Sequence, residues 1–222
     1  MLQVRAGRHP GKVPGVSFLT IYPAETPVAA LILAHGAGAG QQSPFMVHAG
    51  RTLAGRGITT ATFDFPYMKA RRSVPDRAPV LEQAWREAIA EGHRTFGGLR
   101  LFVGGKSMGG RMASHVASQG AETIAGLVFF GYPLHPPGKP EQRRDAHLPA
   151  IAQPMLFVQG TRDPFGTAAE IRDLLPRLQR ATLHEVSGGD HSLKVLARDR
   201  GSSKDPLDDA YAAAAEWMMR HG

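Results

Sequence analysis

The chain has 222 residues, 42% of them hydrophobic, which suits a single α/β domain spanning residues 1–222 with a sizeable core. It contains no cysteine, which excludes disulfides, thiolate metal sites and a cysteine nucleophile. Its formal charge is +7, yet the 26 lysines and arginines are scattered without a long basic block or interleaved aromatics, so no nucleic-acid site is expected. No apolar run approaches the roughly 18 residues of a membrane span. The start, Met1-Leu2-Gln3-Val4-Arg5, has no apolar signal region, so a cytoplasmic location is the expectation.

In chain order, Val16 to Ile21 and Ala29 to Ala34 read as the first strands. The loop after them, His35-Gly36-Ala37-Gly38-Ala39-Gly40, is open enough for backbone to approach a ligand closely. Its glycines lack the three-residue gap of a Gly-x-Gly-x-x-Gly fingerprint, so a dinucleotide site is not expected. His35 reads as a packing residue of this loop. Ser43 and Pro44 suit an N-cap and first helical position, opening a helix towards Gly55. Ile58 to Phe63 is the next strand. Beyond its end, Lys69, Arg71 and Arg72 form a small basic cluster that could steer anionic substrates, with a solvated loop as the plainer reading. Leu81, Trp85, Ala88 and Ile89 make an apolar stripe at helical spacing.

Leu101 to Gly104 then leads into Gly105-Lys106-Ser107-Met108-Gly109, followed by a helix-like run from Arg111 to Gln119. Gly-x-Ser-x-Gly between a strand and a helix is the setting of a nucleophile elbow, a tight turn whose serine takes a strained conformation. Side chains two positions either side would collide, and Gly105 and Gly109 remove them. A phosphate-binding loop would need a glycine five positions before Gly105, where Arg100 stands.

Gly126 to Phe130, Met155 to Val158 and Thr182 to Val186 are the remaining strands. Thr167-Ala168-Ala169-Glu170 is a capping box that opens a helix with Ile171, Leu174, Leu175 and Leu178 on its core face, and Pro176 should kink or stop it. A last helix starts at Asp205-Pro206 and buries Leu207, Tyr211, Ala214 and Met218. Alternating strands and helices of this kind predict a mostly parallel sheet covered on both faces.

A serine hydroxyl is a weak nucleophile near neutral pH and needs a base, which in turn needs an orienting group. In an elbow architecture these partners follow in the order serine, acid, histidine, on loops after later strands. Asp163 follows the strand Met155 to Val158, and His191 follows Thr182 to Val186. Asp64 precedes the serine in sequence, and Asp190 adjoins His191, where neighbouring side chains point apart. Asp163 and His191 are therefore the candidates among the acids and the ten histidines. Two backbone N–H groups would form the oxyanion hole: that of Met108, and one from the glycine-rich loop, with Ala37 favoured and Gly38 second.

Several blocks together resemble the α/β-hydrolase superfamily across nearly the whole chain: Ala34 to Gly38, Gly105 to Arg111, Gly131 to Pro136 and Gln159 to Asp163. Within that superfamily they look like the small dienelactone-hydrolase-like proteins grouped with testis-expressed and chromatin-associated hydrolase-like proteins. The resemblance implies a sheet of about seven or eight strands, one antiparallel, and a Ser107–His191–Asp163 triad. Dienelactone hydrolases proper use a cysteine nucleophile, which is absent here, so dienelactone chemistry is not expected. The segment from Phe130 to Met155 is short and proline-rich, suiting a lip and not a helical lid domain.

The expected activity is that of a serine hydrolase, cleaving a small ester, thioester or lactone through an acyl-enzyme, with a small-molecule acyl substrate and neither metal nor organic cofactor. The alternative is a hydrolase-like scaffold without catalysis, as some relatives are. Oligomeric state is not legible.

Overall fold

The computed structural model describes residues 18–120, 123–196 and 205–221. Seven strands form one sheet: β1 (Thr20–Tyr22), β2 (Ala29–Ala34), β3 (Ile58–Phe63), β4 (Leu101–Lys106), β5 (Gly126–Phe130), β6 (Met155–Gly160) and β7 (Ala181–Val186). Their order is β1-β3-β2-β4-β5-β6-β7, with β1 antiparallel to β3 and every other pair parallel. β2 to β6 are buried along their whole length, as strands covered on both faces must be. The edge strands β1 and β7 are only partly buried, and β7 carries Thr182, His184 and Glu185.

Among the described residues six α-helices accompany the sheet: α1 (Pro44–Ala54), α2 (Pro66–Lys69), α3 (Ala78–Thr95), α4 (Met108–Ser118), α5 (Ala168–Leu174) and α6 (Pro206–Arg220). Side chains alternate across each strand, so neighbours feed opposite cores. Ile32, Val103 and Phe129 pack with Trp85, Ile89, Met112 and Ile171 from α3, α4 and α5. Leu31, Phe102 and Val128 pack on the other face with Leu53, Tyr211 and Trp217 from α1 and α6. Each such buried side chain contributes about 1.5–3 kcal/mol from water exclusion.

The predicted helix signals correspond to local structure. Thr167 and Glu170 exchange both capping-box hydrogen bonds, and α5 stops at a 3-10 turn, Leu175–Arg177, that contains Pro176. Asp205 accepts from the Leu207 N–H at 3.0 Å to open α6. Tyr211, Ala214 and Met218 are buried as expected, whereas Leu207, in the first turn, is only half-buried. Ser43 precedes α1 in extended conformation but makes no side-chain cap. Of the first predicted strand, Val16 and Ser17 lie outside the described residues, and pairing begins at Thr20.

The order places a switch point between β2 and β4: from β2 the chain moves to β3 on one side, then returns to β4 on the other. Loops leaving the carboxyl ends of two such strands diverge and leave a crevice between them. Those loops are His35–Gly40 and the turn at Ser107. Among the described residues no lid domain covers the crevice, and the β5–β6 segment holds only a 3-10 turn, Leu148–Ala150. Among the described residues no helix is long and apolar enough to cross a membrane.

Candidate active site

Ser107 ends β4 and starts α4 with φ 51° and ψ −116°, a conformation that costs a non-glycine residue on the order of 1–3 kcal/mol. Its N–H donates to the Phe130 carbonyl at 3.1 Å, and its carbonyl accepts from the Arg111 N–H at 3.1 Å. The flanking glycines make the turn possible. A Cβ on Gly105 would lie 2.6 Å from both the Ala34 oxygen and the Gly110 nitrogen, and one on Gly109 would lie 2.7 Å from the His35 oxygen. These neighbours are backbone and cannot step aside. Gly105→Ala is therefore expected to cost about 3 kcal/mol or more. Urea unfolding checks this, and an unchanged midpoint would contradict it.

Asp163 and His191 sit on the loops after β6 and β7, and the fold brings both to Ser107. The Ser107 hydroxyl lies 2.9 Å from His191 Nε2, and His191 Nδ1 lies 2.8 Å and 3.0 Å from the two Asp163 oxygens. With Nδ1–H donating to the carboxylate, the Nε2 lone pair is left to accept from the serine. Asp163 is fully buried, while the His191 side chain keeps 21% of its surface. The Phe165 ring stacks on the imidazole at 4.2 Å between centroids.

Two residues that stand in the quoted blocks without an assigned role hold this arrangement in place. Gln159, fully buried at the end of β6, donates from Nε2 to Asp163 Oδ2 at 2.9 Å, and its Oε1 accepts from the Tyr132 N–H at 2.8 Å. Together with the Phe165 N–H on Oδ1 at 2.8 Å, it fixes the carboxylate plane. Lys106, just before the serine and 9% exposed, donates from Nζ to the His191 backbone carbonyl. Burial pushes its pKa down from 10.5 to about 8, against the pull of Asp163 and Asp190. A polar residue closing an apolar strand was the available signal for both.

Lys106→Met should thus disturb two measurements. Loss of the donor frees the His191 backbone, and a displacement near 1 Å costs on the order of 10²-fold in kcat/KM. Between pH 8 and 10.5 the folded protein has released a proton from Lys106 that the unfolded chain still binds, so stability rises with pH through this window. Denaturation at pH 8 and 10.5 should show that gain in the wild type, on the order of 3 kcal/mol, and its loss in the variant. Equal pH slopes in the two proteins would contradict the assignment.

The rival acids have other tasks. Asp190 accepts from the N–H groups of Ser192 and Lys194 and so builds the His191 turn. Asp64 accepts from the Gln41 N–H at 2.7 Å and braces the glycine-rich loop. His35 lies in that loop, fully buried, with Nδ1–H donating to the Gly36 carbonyl at 2.7 Å and Nε2 accepting from the Phe65 N–H at 3.2 Å. Burial lowers its pKa and keeps it neutral in this packing role. The Gly38 N–H donates to the Tyr67 hydroxyl at 3.1 Å, so it is engaged away from the crevice. Ala37 borders the crevice, as does Met108, whose N–H belongs to the first turn of α4, where amides have no partner within the helix.

A second serine–histidine contact differs in kind. Ser114 is fully buried on α4, donates to the Arg111 carbonyl at 2.7 Å and shares a 2.7 Å hydrogen bond with His147 Nε2. Among the described residues no carboxylate bonds to His147, whose pKa is pushed to about 4 chiefly by burial. This contact ties α4 to the segment before β6.

Ser107 and His191 open onto a cavity of about 530 Å³, bordered also by Ala37, Met108, Pro133 and Phe165. A smaller apolar space of about 320 Å³, lined by Phe45, Met46 and Leu207, adjoins it past Lys106 and Ser192. The basic cluster beyond β3 does not border this cavity, in keeping with the plainer reading of a solvated loop. Lys69 sits 4.4 Å over the Phe18 ring, Arg72 pairs with Asp76 at 2.6 Å, and neither they nor Arg71 border the cavity. Among the described residues no three histidine, aspartate or glutamate side chains converge to hold a metal ion.

Solved structures with the same fold include a dienelactone hydrolase from Anabaena variabilis, 22% identical with a TM-score of 0.72, covering 91% of this chain and 90% of that one. An α/β serine hydrolase without a lid from Xanthomonas campestris is 18% identical with a TM-score of 0.67, covering 91% and 87%. The esterase domain of a Rhodothermus marinus protein is 16% identical with a TM-score of 0.66, covering 90% and 91%. A family model described as an alpha/beta hydrolase domain matches residues 27–219. With that match spanning most of its length, the chain belongs to the α/β-hydrolase family.

Proposed function

We propose that the protein is a serine hydrolase that cleaves a small ester, thioester or lactone through an acyl-enzyme. The observation that carries this reading is the unbroken hydrogen-bonded line from the Ser107 hydroxyl through His191 to the buried Asp163, opening onto a cavity. In the proposed reaction Ser107 Oγ attacks the acyl carbon while its proton passes to His191 Nε2. The Met108 and Ala37 N–H groups receive the negative charge on the carbonyl oxygen, each donor lowering the barrier by about 2.7–4 kcal/mol. Collapse breaks the bond to the alcohol or thiol, which takes the proton from His191. Water then repeats the sequence: it gives a proton to His191, attacks the acyl-serine and releases the acid and Ser107. Asp163 stays ionised and stabilises the imidazolium formed in each half.

The test is turnover of a panel of small esters, thioesters and lactones, alongside labelling by a fluorophosphonate. Saturable turnover of at least one substrate class with stoichiometric labelling is expected. An intact fold with neither would support a non-catalytic scaffold instead.

A further inference from the structure

Two arginines that the chemistry above leaves unused, Arg111 and Arg144, border the cavity, close enough for their charges to interact. Arg111 follows Ser107 by four residues and so lies one turn, about 6 Å, further along the same face of α4. Arg144 reaches the same space from the β5–β6 segment. Its backbone is held on both sides: its N–H donates to the Leu134 carbonyl at 2.8 Å, and its carbonyl accepts from the Tyr132 hydroxyl at 2.9 Å. Two elements far apart in sequence thus converge two like charges beside the serine.

Neither guanidinium has a carboxylate partner among the described residues. Asp145, next in sequence to Arg144, is taken by Arg143 at 2.8 Å. Asp76 also borders the cavity, but its Oδ1 is taken by Arg72, so one already matched carboxylate faces two arginines. Arg111 Nε is buried without an acceptor, and Asp76 Oδ2 is buried without a donor. A charged donor left unpaired in a native protein is costly, and a ligand that fills it recovers that cost. The flanking His115 and His147 add no charge, because burial lowers both pKa values and leaves them neutral at pH 7.

We propose that Arg111 and Arg144 form a carboxylate-binding subsite, so that the preferred substrate is an anionic ester with a carboxylate several bonds from the scissile carbonyl. A planar fork of donors suits a carboxylate in this way, and exclusion from water strengthens the pairing. The inference rests on the hydrolase reading above and adds the substrate class to it.

The experiment compares kcat/KM for two pairs of esters. In the first, the 4-nitrophenyl monoester of adipic acid is set against the ester of a branched aliphatic acid of the same shape. In the second, the carboxylate sits on the alcohol part and is set against its methyl ester. In the wild type at least one acidic member should exceed its neutral counterpart tenfold or more, with the preference shrinking at high salt. That ratio should fall towards one in Arg111→Gln and in Arg144→Gln, and persist in part in Arg111→Lys. Each ratio is internal to one protein, so a loss of folded material cancels. Neutral esters turned over as well as both acidic ones, or a preference that survives both glutamine variants, would overturn the proposal. If no ester is turned over, the hydrolase reading fails first. Calorimetric titration of free adipate then decides the subsite alone: binding weakened tenfold by Arg111→Gln supports it, and no binding to the wild type overturns it.

Discussion

Ser107→Ala is expected to lower kcat for ester hydrolysis by on the order of 10⁵–10⁶-fold, with KM nearly unchanged. The size follows from what is removed. In the proposed reaction no acyl-enzyme forms without Oγ, and the remaining acceleration must come from His191 acting on water beside the proposed donors of Met108 and Ala37. Alanine keeps a Cβ, so the strain at φ 51° is not relieved and the contacts of Gly105 and Gly109 are untouched. The unfolding midpoint should therefore stay within about 0.5 kcal/mol of the wild type. Stopped activity with preserved stability is the combination to look for. A variant retaining a tenth of the wild-type rate would remove Ser107 from the reaction.

The second large effect is expected from Asp163→Asn, about 10⁴-fold in kcat. Two donors already converge on this carboxylate besides the imidazole: the Gln159 amide on Oδ2 and the Phe165 N–H on Oδ1. An asparagine offers one oxygen and one NH₂ in their place. If the oxygen keeps Phe165, the NH₂ faces Gln159 Nε2 and His191 Nδ1. The imidazole can then satisfy it only by accepting at Nδ1, which puts its proton on Nε2, towards the serine. A base in that tautomer cannot take the hydroxyl proton. Asp163 is fully buried, so no water restores the lost charge. The check is kcat near pH 7 together with circular dichroism to establish folding. A loss smaller than tenfold in a folded variant would contradict the role given to Asp163.

Much of the fold was legible because its signals are local. β2 and β5 are unbroken apolar runs and β3 is rich in β-branched residues, and the predicted and observed bounds of all three coincide. Thr167, Glu170 and Pro176 set the start and stop of α5 through capping and a missing N–H. The misjudged boundaries are instructive. β4 and β6 were expected to end at Gly104 and Val158, yet their ladders continue through Lys106 and Gly160. Apolarity stops there, but pairing does not. The residues that hydropathy cut away, Lys106 and Gln159, are the two that hold His191 and Asp163. Strand ends at the carboxyl edge carry polar groups because the crevice lies there, so a hydropathy boundary falls short of the functional residues.

For the candidate site, order along the chain singled out Ser107, Asp163 and His191, and the fold brings them within hydrogen-bond reach because loops after successive parallel strands reach one edge of the sheet. Charge was read less well. Lys69, Arg71 and Arg72 stand together in sequence, but Lys69 lies over the Phe18 ring, Arg72 pairs with Asp76, and none of the three borders the cavity. Arg111 and Arg144 are 33 residues apart and look unrelated until β5 and α4 bring them to one cavity. The engagement of the Gly38 N–H by Tyr67 was equally hidden, since it spans 29 residues.

One observation reaches the centre of this account directly: the site at which a fluorophosphonate attaches, read by mass spectrometry of the intact protein and of its peptides. A hydroxyl made nucleophilic by the imidazole of His191, itself steadied by a buried carboxylate, should bear a single adduct on the peptide containing Ser107, and His191→Gln should abolish it. An adduct at Ser114 or on any other side chain, or undiminished modification once His191 is replaced, would contradict it.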